Sequence, residues 1–192
     1  IHKSLKFLHE SLDKLANGEY PLEELVVTKT LRAFYKNPQQ IAHKVLADRM
    51  KKRDPGSAPQ SNDRVPYVYI QVKEEKGTKL LQGDKIEDPK YIRENSLTPD
   101  YGHYITNQIM KPCLQLYSMI LEQLDGYKHK NDKNYWKKLE KSLMEEKKDQ
   151  KKVDDKIKQL REKEAQELLF NKYLNKIDNK KNEIRTIGEF FG

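Results

Sequence analysis

Three cations in a row, Lys51, Lys52 and Arg53, stand immediately before Asp54-Pro55-Gly56, and Arg64 follows on the far side of the same loop. Cations grouped around a turn do one kind of chemistry well. They hold phosphate or carboxylate groups through charge-assisted hydrogen bonds. The plainer alternative is that Lys51 to Arg53 complement the dipole of a helix C-terminus, worth about 0.3–1 kcal/mol. Phosphate contact is the preferred reading, because the whole chain is basic. It has 38 Lys and Arg against 30 Asp and Glu, a net charge of +8 and a pI near 9.3. Such a balance favours an anionic partner, nucleic acid first.

No catalytic constellation accompanies these cations. The chain has neither G-x-x-x-x-G-K-[ST] nor G-x-G-x-x-G. The five histidines, His2, His9, His43, His103 and His129, lack metal-ligand spacing, so no metal or other cofactor is expected in this chain. Glu74-Glu75 and Glu145-Glu146 read as exposed charge, and Ser57 has no base near it in sequence. Cys113 is the only cysteine, which excludes an intrachain disulfide and a cysteine-built zinc site and fits a reducing, intracellular compartment. No apolar run is long enough to span a membrane. The absence of an initiator Met suggests a processed chain or a piece of something larger.

The elements that must position the cations follow from periodicity. Residues 2–17 place Leu5, Leu8, Leu12 and Leu15 at helical spacing, and Gly18 stops that helix. Residues 25–31 read as a short strand. A helix over about 39–52 gathers Ile41, Ala42, Val45, Leu46 and Met50 on one arc, with Lys44, Ala47 and Lys51 opposite. Arg49 falls inside the apolar arc, so it is expected to hold a carboxylate or backbone carbonyls. Residues 65–72 read as a strand, with Pro66 suited to its start or to an edge. A return strand near Lys79-Leu80-Leu81 would complete a hairpin. Asp88 before Pro89 and Asp100 before Tyr101 carry helix-start signatures. The helix after Asp100 is expected to bury Tyr104, Ile105, Ile109, Leu114, Leu116, Ile120, Leu121 and Leu124, with Pro112 interrupting it and Gly126 ending it.

Residues 127–187 contain neither Gly nor Pro. One helix of that length would reach roughly 90 Å, against a radius of gyration of about 16 Å for a compact chain of this size. The segment therefore projects or folds back. A helical hairpin or two loosely packed helices are expected, with breaks at Asn131-Asp132 and Asn175 to Asn179. The apolar stripe lapses between Met144 and Val153.

Four blocks, LVVTK at 25–29, IAHKVLADRMKKRDPGSAP with DRVPYVYI at 41–70, EDPKYIREN at 87–95 and DYGHYITNQIMKP at 100–112, come in one order and spacing. Together they resemble the thumb region of family B DNA polymerases, of the eukaryotic delta type and its relatives in large DNA viruses. The resemblance covers roughly residues 1–125. It implies an α+β, mainly α-helical fold: a helical thumb with a small β-hairpin, plus a C-terminal helical extension. The implied division is a palm-to-thumb junction helix at 1–20, a thumb core at 21–126, a lysine-rich helical extension at 127–183 and a clamp-binding-like tail at 184–192. The family's palm signature, an aromatic-Gly-Asp-Thr-Asp-Ser turn, is absent from this sequence. Mg2+ is therefore expected in a palm that these residues do not include, in the same native chain or a separate one. The implied role is to grip primer-template duplex through its backbone, largely without regard to sequence. Its carriers would be Lys29, Lys44, Lys51, Lys52, Arg53 and Arg64. Asn62 stands where delta-type sequences have Gly, and Asn tolerates the φ > 0 such a turn needs.

The last residues, Ile184 to Gly192, resemble a sliding-clamp-binding peptide. Ile187, Phe190 and Phe191 would plug a hydrophobic pocket on a clamp of the proliferating-cell-nuclear-antigen type, although Ile184 replaces the usual Gln. The implied partners are duplex DNA, that clamp and the rest of the polymerase, in a nucleus or at a viral replication site in the host cytoplasm. No cysteine-rich, metal-binding tail follows, which favours a viral or reduced homologue. The alternative is a non-enzymatic helical interaction module with a basic surface, in which 127–187 is the working part.

Overall fold

The computed structural model describes residues 1–72, 80–147 and 149–191, the side chains of 147 and 183–191 excepted. In chain order its elements are α1 (His2–Asn17), β1 (Val27–Thr30), α2 (Ala42–Arg53), β2 (Arg64–Tyr69), β3 (Ile86–Glu87), α3 (Pro89–Glu94), α4 (Tyr101–Tyr104), α5 (Lys111–Tyr117), α6 (Tyr135–Lys147), α7 (Gln150–Leu169) and α8 (Asn171–Phe191). The fold is α+β and mainly helical, with one small antiparallel sheet. The chain divides into two compact units, Gly18–Tyr104 and a second that combines Ile1–Asn17 with Ile105–Gly192.

In the unit Gly18–Tyr104, β2 lies between β1 and β3. Val27 pairs with Tyr67 and Lys29 with Val65, while Val68 pairs with Glu87. Pro66 thus stands in the middle strand, where a missing N–H ordinarily breaks a ladder. The Leu31 N–H donates to the Asp63 carbonyl (2.8 Å), so alternation makes 29/65 and 27/67 the hydrogen-bonded pairs. Pro66 then turns its nitrogen away from β1, and the two-residue ladder with β3 begins only at Val68. No ladder bond is lost.

The return strand expected at 79–81 is instead β3. Lys79 lies outside the described residues, and Leu80 and Leu81 belong to no strand. The Leu81 N–H donates to Asp84 Oδ2 (2.8 Å), which opens a 3-10 turn over Gln82–Lys85 and takes a donor that a ladder would need. Leu31, Leu46, Ala47, Val65, Tyr67 and Ile86 form the core of this unit. Ala47 was expected on the outer face of α2 and is buried. Helix α2 is covered on two sides, by the sheet and by the 82–85 turn, so its buried arc is wider than its apolar stripe. Asp88 caps α3 by accepting from the Tyr91 N–H (3.0 Å), as its place before Pro89 predicts. Tyr104 is buried and ties two strands of chain together, donating to the Leu25 carbonyl (2.8 Å) and accepting from the Tyr69 N–H (3.0 Å). Burial pushes its hydroxyl pKa up to about 12.

In the other unit, a π-helical stretch, Ile105–Met110, precedes Pro112 in the first turn of α5. The wider turn accommodates the ring and shifts the helical register by about one residue. That explains Leu116, expected in the core and found 67% exposed, while Leu114 and Tyr117 are buried. Gly126 takes φ +81°, the left-handed geometry of a helix stop. Beyond it, among the described residues, come three helices, α6 to α8, rather than the expected hairpin or pair of helices. The chain turns near Asn131-Asp132 as expected, and the lapse in the apolar stripe marks the end of α6. Asp149 then caps α7 by accepting from the Lys152 N–H (3.3 Å). Asn175 to Asn179, expected as a break, continue inside α8. Tyr173 and Ile177 are buried there, and their burial outweighs weak local helix propensity. Lys180 Nζ donates to the Ala16 carbonyl (3.1 Å) and Lys176 Nζ to Asn17 Oδ1 (2.6 Å), supplying donors to the open C-terminal end of α1. Val153, Ala165, Leu169 and Phe170 complete a buried interior, so these helices are well packed.

Candidate nucleic-acid interface

The C-terminus of α2 is fixed by ionic contacts. Arg49 Nη2 donates to the Ile86 and Gly83 carbonyls (2.6 and 3.1 Å). Its Nε lies 3.3 Å from Glu87 Oε2, without the alignment of a hydrogen bond. Arg49 therefore has both kinds of partner its place on the apolar arc demands. One turn on, Arg53 Nη1 donates to Glu87 Oε1 (3.1 Å) and Nη2 to Oε2 (2.9 Å), and its guanidinium lies 3.5 Å from the centroid of the Tyr91 ring. Glu87 is 4% exposed and also accepts from the Asp88 N–H (2.9 Å). A carboxylate this buried needs such partners, because an unpaired charge there costs several kcal/mol. Gly83 belongs to the same joint. A Cβ at Gly83 would stand 2.7 Å from Val45 Cβ, so only glycine lets α2 approach the turn this closely.

These contacts sort the cations. Arg53 is directed at Glu87 and is 33% exposed. Lys44 pairs with Asp48 one helical turn away and is half-buried. Lys51 and Lys52 are exposed at the helix end. Lys90, which sequence reasoning passed over, contributes to holding the Asp54 carboxyl below its usual range, behind the Ser57 hydroxyl and the Gly56 N–H. Only the packing of α3 beside the end of α2 reveals Lys90.

The loop at 54–63 is ordered by its own acids. Asp54 accepts from the Gly56 N–H (3.0 Å) and the Ser57 hydroxyl (2.7 Å), and Asp63 accepts from the Gln60 N–H (2.8 Å). Asn62 takes φ 74°, as its substitution for glycine predicts, and its N–H donates to the Leu31 carbonyl (2.7 Å). At the other end of the loop, Arg64 donates to Thr28 Oγ1 from Nη2 (2.6 Å) and Nε (3.2 Å). The strand pleat places Lys29 and Arg64 on opposite faces of the sheet, because Lys29 pairs with Val65. Lys29 and Arg32 both help hold His43 below the ordinary imidazole value, burial being the larger cause. Tyr35 Oη and His43 Nε2 are hydrogen-bonded at 3.0 Å. Arg32 is the second cation that the sequence pattern did not single out. Ile187, Phe190 and Phe191 lie outside the described side chains.

Among the described residues, no group of three or more His, Cys, Asp and Glu is placed to hold a metal ion. The described residues do not fit a Mg2+ site. None of the described helices is long and apolar enough to cross a membrane. What the arrangement offers is exposed point charge on an anchored helix end.

The model of DNA polymerase family B matches residues 1–120. The chain belongs to DNA polymerase family B. It is 51% identical over 191 residues to a DNA polymerase of Pyramimonas orientalis virus, covering 100% of this chain and 16% of that protein. It is 46% identical over 133 residues to a DNA polymerase of Acanthamoeba polyphaga mimivirus, covering 68% of the chain and 8% of the relative. It is also similar to the DNA polymerase delta catalytic subunit of Candida albicans, 38% over 121 residues, covering 63% and 11%. The chain thus spans 16% or less of the length of these curated relatives. The family match takes in the whole Arg49–Arg53–Glu87 joint, so the cations at the end of α2 are part of a family B polymerase segment.

Proposed function

We propose that this chain is the thumb part of a replicative, DNA-directed DNA polymerase, of viral origin, and that it grips primer-template duplex through the phosphate backbone. Nucleotidyl transfer belongs to a palm carrying the Mg2+-holding carboxylates, which these residues do not include. The observation that supports this reading is the joint around Glu87. Two arginines fix the end of α2 and leave Lys51 and Lys52 exposed beside it. Lys51 and Lys52 are the principal phosphate contacts. Lys29, Lys44 and Arg64 add charge along the same unit, and Arg53 holds the helix end in place while lending it a partly exposed cation. Point charges on an anchored helix suit binding that positions duplex without reading bases. The C-terminal Ile187, Phe190 and Phe191 engage a sliding clamp, at the site of replication in the nucleus or in a cytoplasmic viral compartment. The competing reading is a non-enzymatic interaction module with a basic surface, in which the 127–187 helices are the working part. It is disfavoured by the burial of Val153, Phe170, Tyr173 and Ile177 within their own unit, which leaves those apolar side chains no role in a partner contact.

The test is a titration of duplex DNA at several salt concentrations. Neutralising about four phosphates gives a log–log slope near −3.6. Changing Lys51 and Lys52 together to Ala flattens it by about 1.8. A slope that the double substitution leaves unchanged refutes the assignment.

A further inference from the structure

The positive charge is unevenly spread. Residues 127–182 hold 18 of the 38 Lys and Arg and 11 of the 30 Asp and Glu, a net of +7 against +8 for the whole chain. This is the segment beyond the family match, which ends at residue 120. At its start, the turn leading into α6 frames a cavity of about 230 Å³. Tyr127, His129 and Trp136 supply an aromatic wall, and Lys130 and Lys133 line it too. The wall is preformed. His129 stacks on Tyr135 with ring centroids 3.5 Å apart, and Trp136 meets both rings edge-on. Beyond Lys133, in the turn that lines the cavity, Lys137 and Lys141 stand one helical turn apart on one face of α6. All four lysines are exposed.

Two acids line the same cavity, and both are already engaged. Glu122 accepts from Arg161 Nη1 (2.6 Å) and Nη2 (2.9 Å). Asp132 accepts from Lys138 Nζ (2.9 Å) and from the Asn134 N–H (3.1 Å). Lys128 is likewise paired with Glu167. Among the described residues, Lys130, Lys133, Lys137 and Lys141 have no such carboxylate partner. The acids at the cavity are paired with Arg161 and Lys138, while Lys130, Lys133, Lys137 and Lys141 keep their charge.

We propose that this cavity and its lysine rim form a site for single-stranded DNA. The phosphates lie along Lys130, Lys133, Lys137 and Lys141, and one unstacked base enters the aromatic cavity. Aromatic walls accept any base, and a cationic track follows the backbone, which is how sequence-tolerant single-strand sites are built. The cavity is smaller than the roughly 300–1,000 Å³ of drug-sized pockets, so it takes a single base. The site uses none of the residues assigned to the duplex grip, and the two readings stand or fall separately.

Trp136 is the only tryptophan in the chain, so its emission reports on this cavity directly. The full chain is titrated with oligothymidylate at increasing salt. The expected result is a saturable change in emission with a log–log salt slope near −2.8, from four phosphates at about 0.7 each. That corresponds to about 50-fold weaker binding at 200 mM than at 50 mM salt. Changing the four lysines together to Ala brings the slope close to zero while far-UV circular dichroism is unchanged. Changing Lys51 and Lys52 to Ala leaves the Trp136 titration as it was. Emission that does not respond to the oligonucleotide, or a slope that survives the four substitutions, overturns the proposal. An equal response to polyglutamate also overturns it and reassigns the site to acidic protein segments.

Discussion

Arg53 can be separated from its lysine neighbours by what its removal does. In Arg53→Ala, Glu87 loses two charge-assisted hydrogen bonds of 3.1 and 2.9 Å. It keeps the Asp88 N–H and the nearby Arg49, so the carboxylate is not orphaned. Hydrogen bonds to charged groups contribute about 1.5–3 kcal/mol each, but Arg53 is one third exposed and water screens part of that. The stacked Tyr91 contact adds about 0.5–1 kcal/mol. A net loss of about 2–3 kcal/mol is expected, which in a chain of this length lowers Tm by about 4–12 °C. Thermal unfolding followed by far-UV circular dichroism measures it. Changing Lys51 and Lys52 to Ala should move Tm by far less, because both are exposed surface residues. The order reverses in the duplex titration, where Arg53→Ala changes the salt slope less than the lysine pair does. If Arg53→Ala melts within a degree of the parent, or flattens the slope as much as the lysine pair, the anchoring role is wrong.

Gly83→Ala should cost about 1–3 kcal/mol by overpacking against Val45. Adding Val45→Ala should recover part of that loss, and its failure to do so in urea unfolding would point away from the close approach. His9 and His43 are both held below the ordinary imidazole pKa, mainly by burial. Unfolded imidazoles take up protons near about 6.5 while the folded ones stay neutral. Their contribution to stability is therefore complete above about pH 6.5 and is lost as pH falls through that value toward the folded pKa. Tm measured between pH 7.5 and 5.5 should drop, and His43→Gln should shallow the drop; a flat profile contradicts the burial. Changing Phe190 and Phe191 to Ala should abolish capture by a sliding clamp, and capture that persists removes the tail assignment.

Much of the fold was legible because local chemistry and tertiary packing agree. Asp88 before Pro89 is a cap in sequence and in structure, and Gly18 and Gly126 end helices with positive φ. The misreadings share a cause, which is that something outside the hydrophobic period decided the outcome. The strand expected at 79–81 gave way to a turn that Asp84 caps. Leu116 was turned outward by a π-helical stretch six residues upstream, which the 3.6-residue period cannot register. Asn175 to Asn179 read as a break and stayed helical because Tyr173 and Ile177 are buried.

The cations show the limit of reading charge from sequence. Lys51, Lys52 and Arg53 are adjacent and all cationic, and no acid among their sequence neighbours shows which of them will be held. Their difference comes from Glu87, thirty-four residues beyond Arg53 and brought beside it only when β3 pairs with β2. A buried carboxylate selects the planar, bidentate guanidinium and leaves the ammonium groups at the surface. The same reasoning applies to the chain as a whole. Net charge points to an anionic partner class, but most of it lies in 127–182 and not around Lys51 to Arg53. Where a cation acts is decided by which acids the fold places beside it, so each lysine has to be judged by its partner and not by its neighbours in sequence.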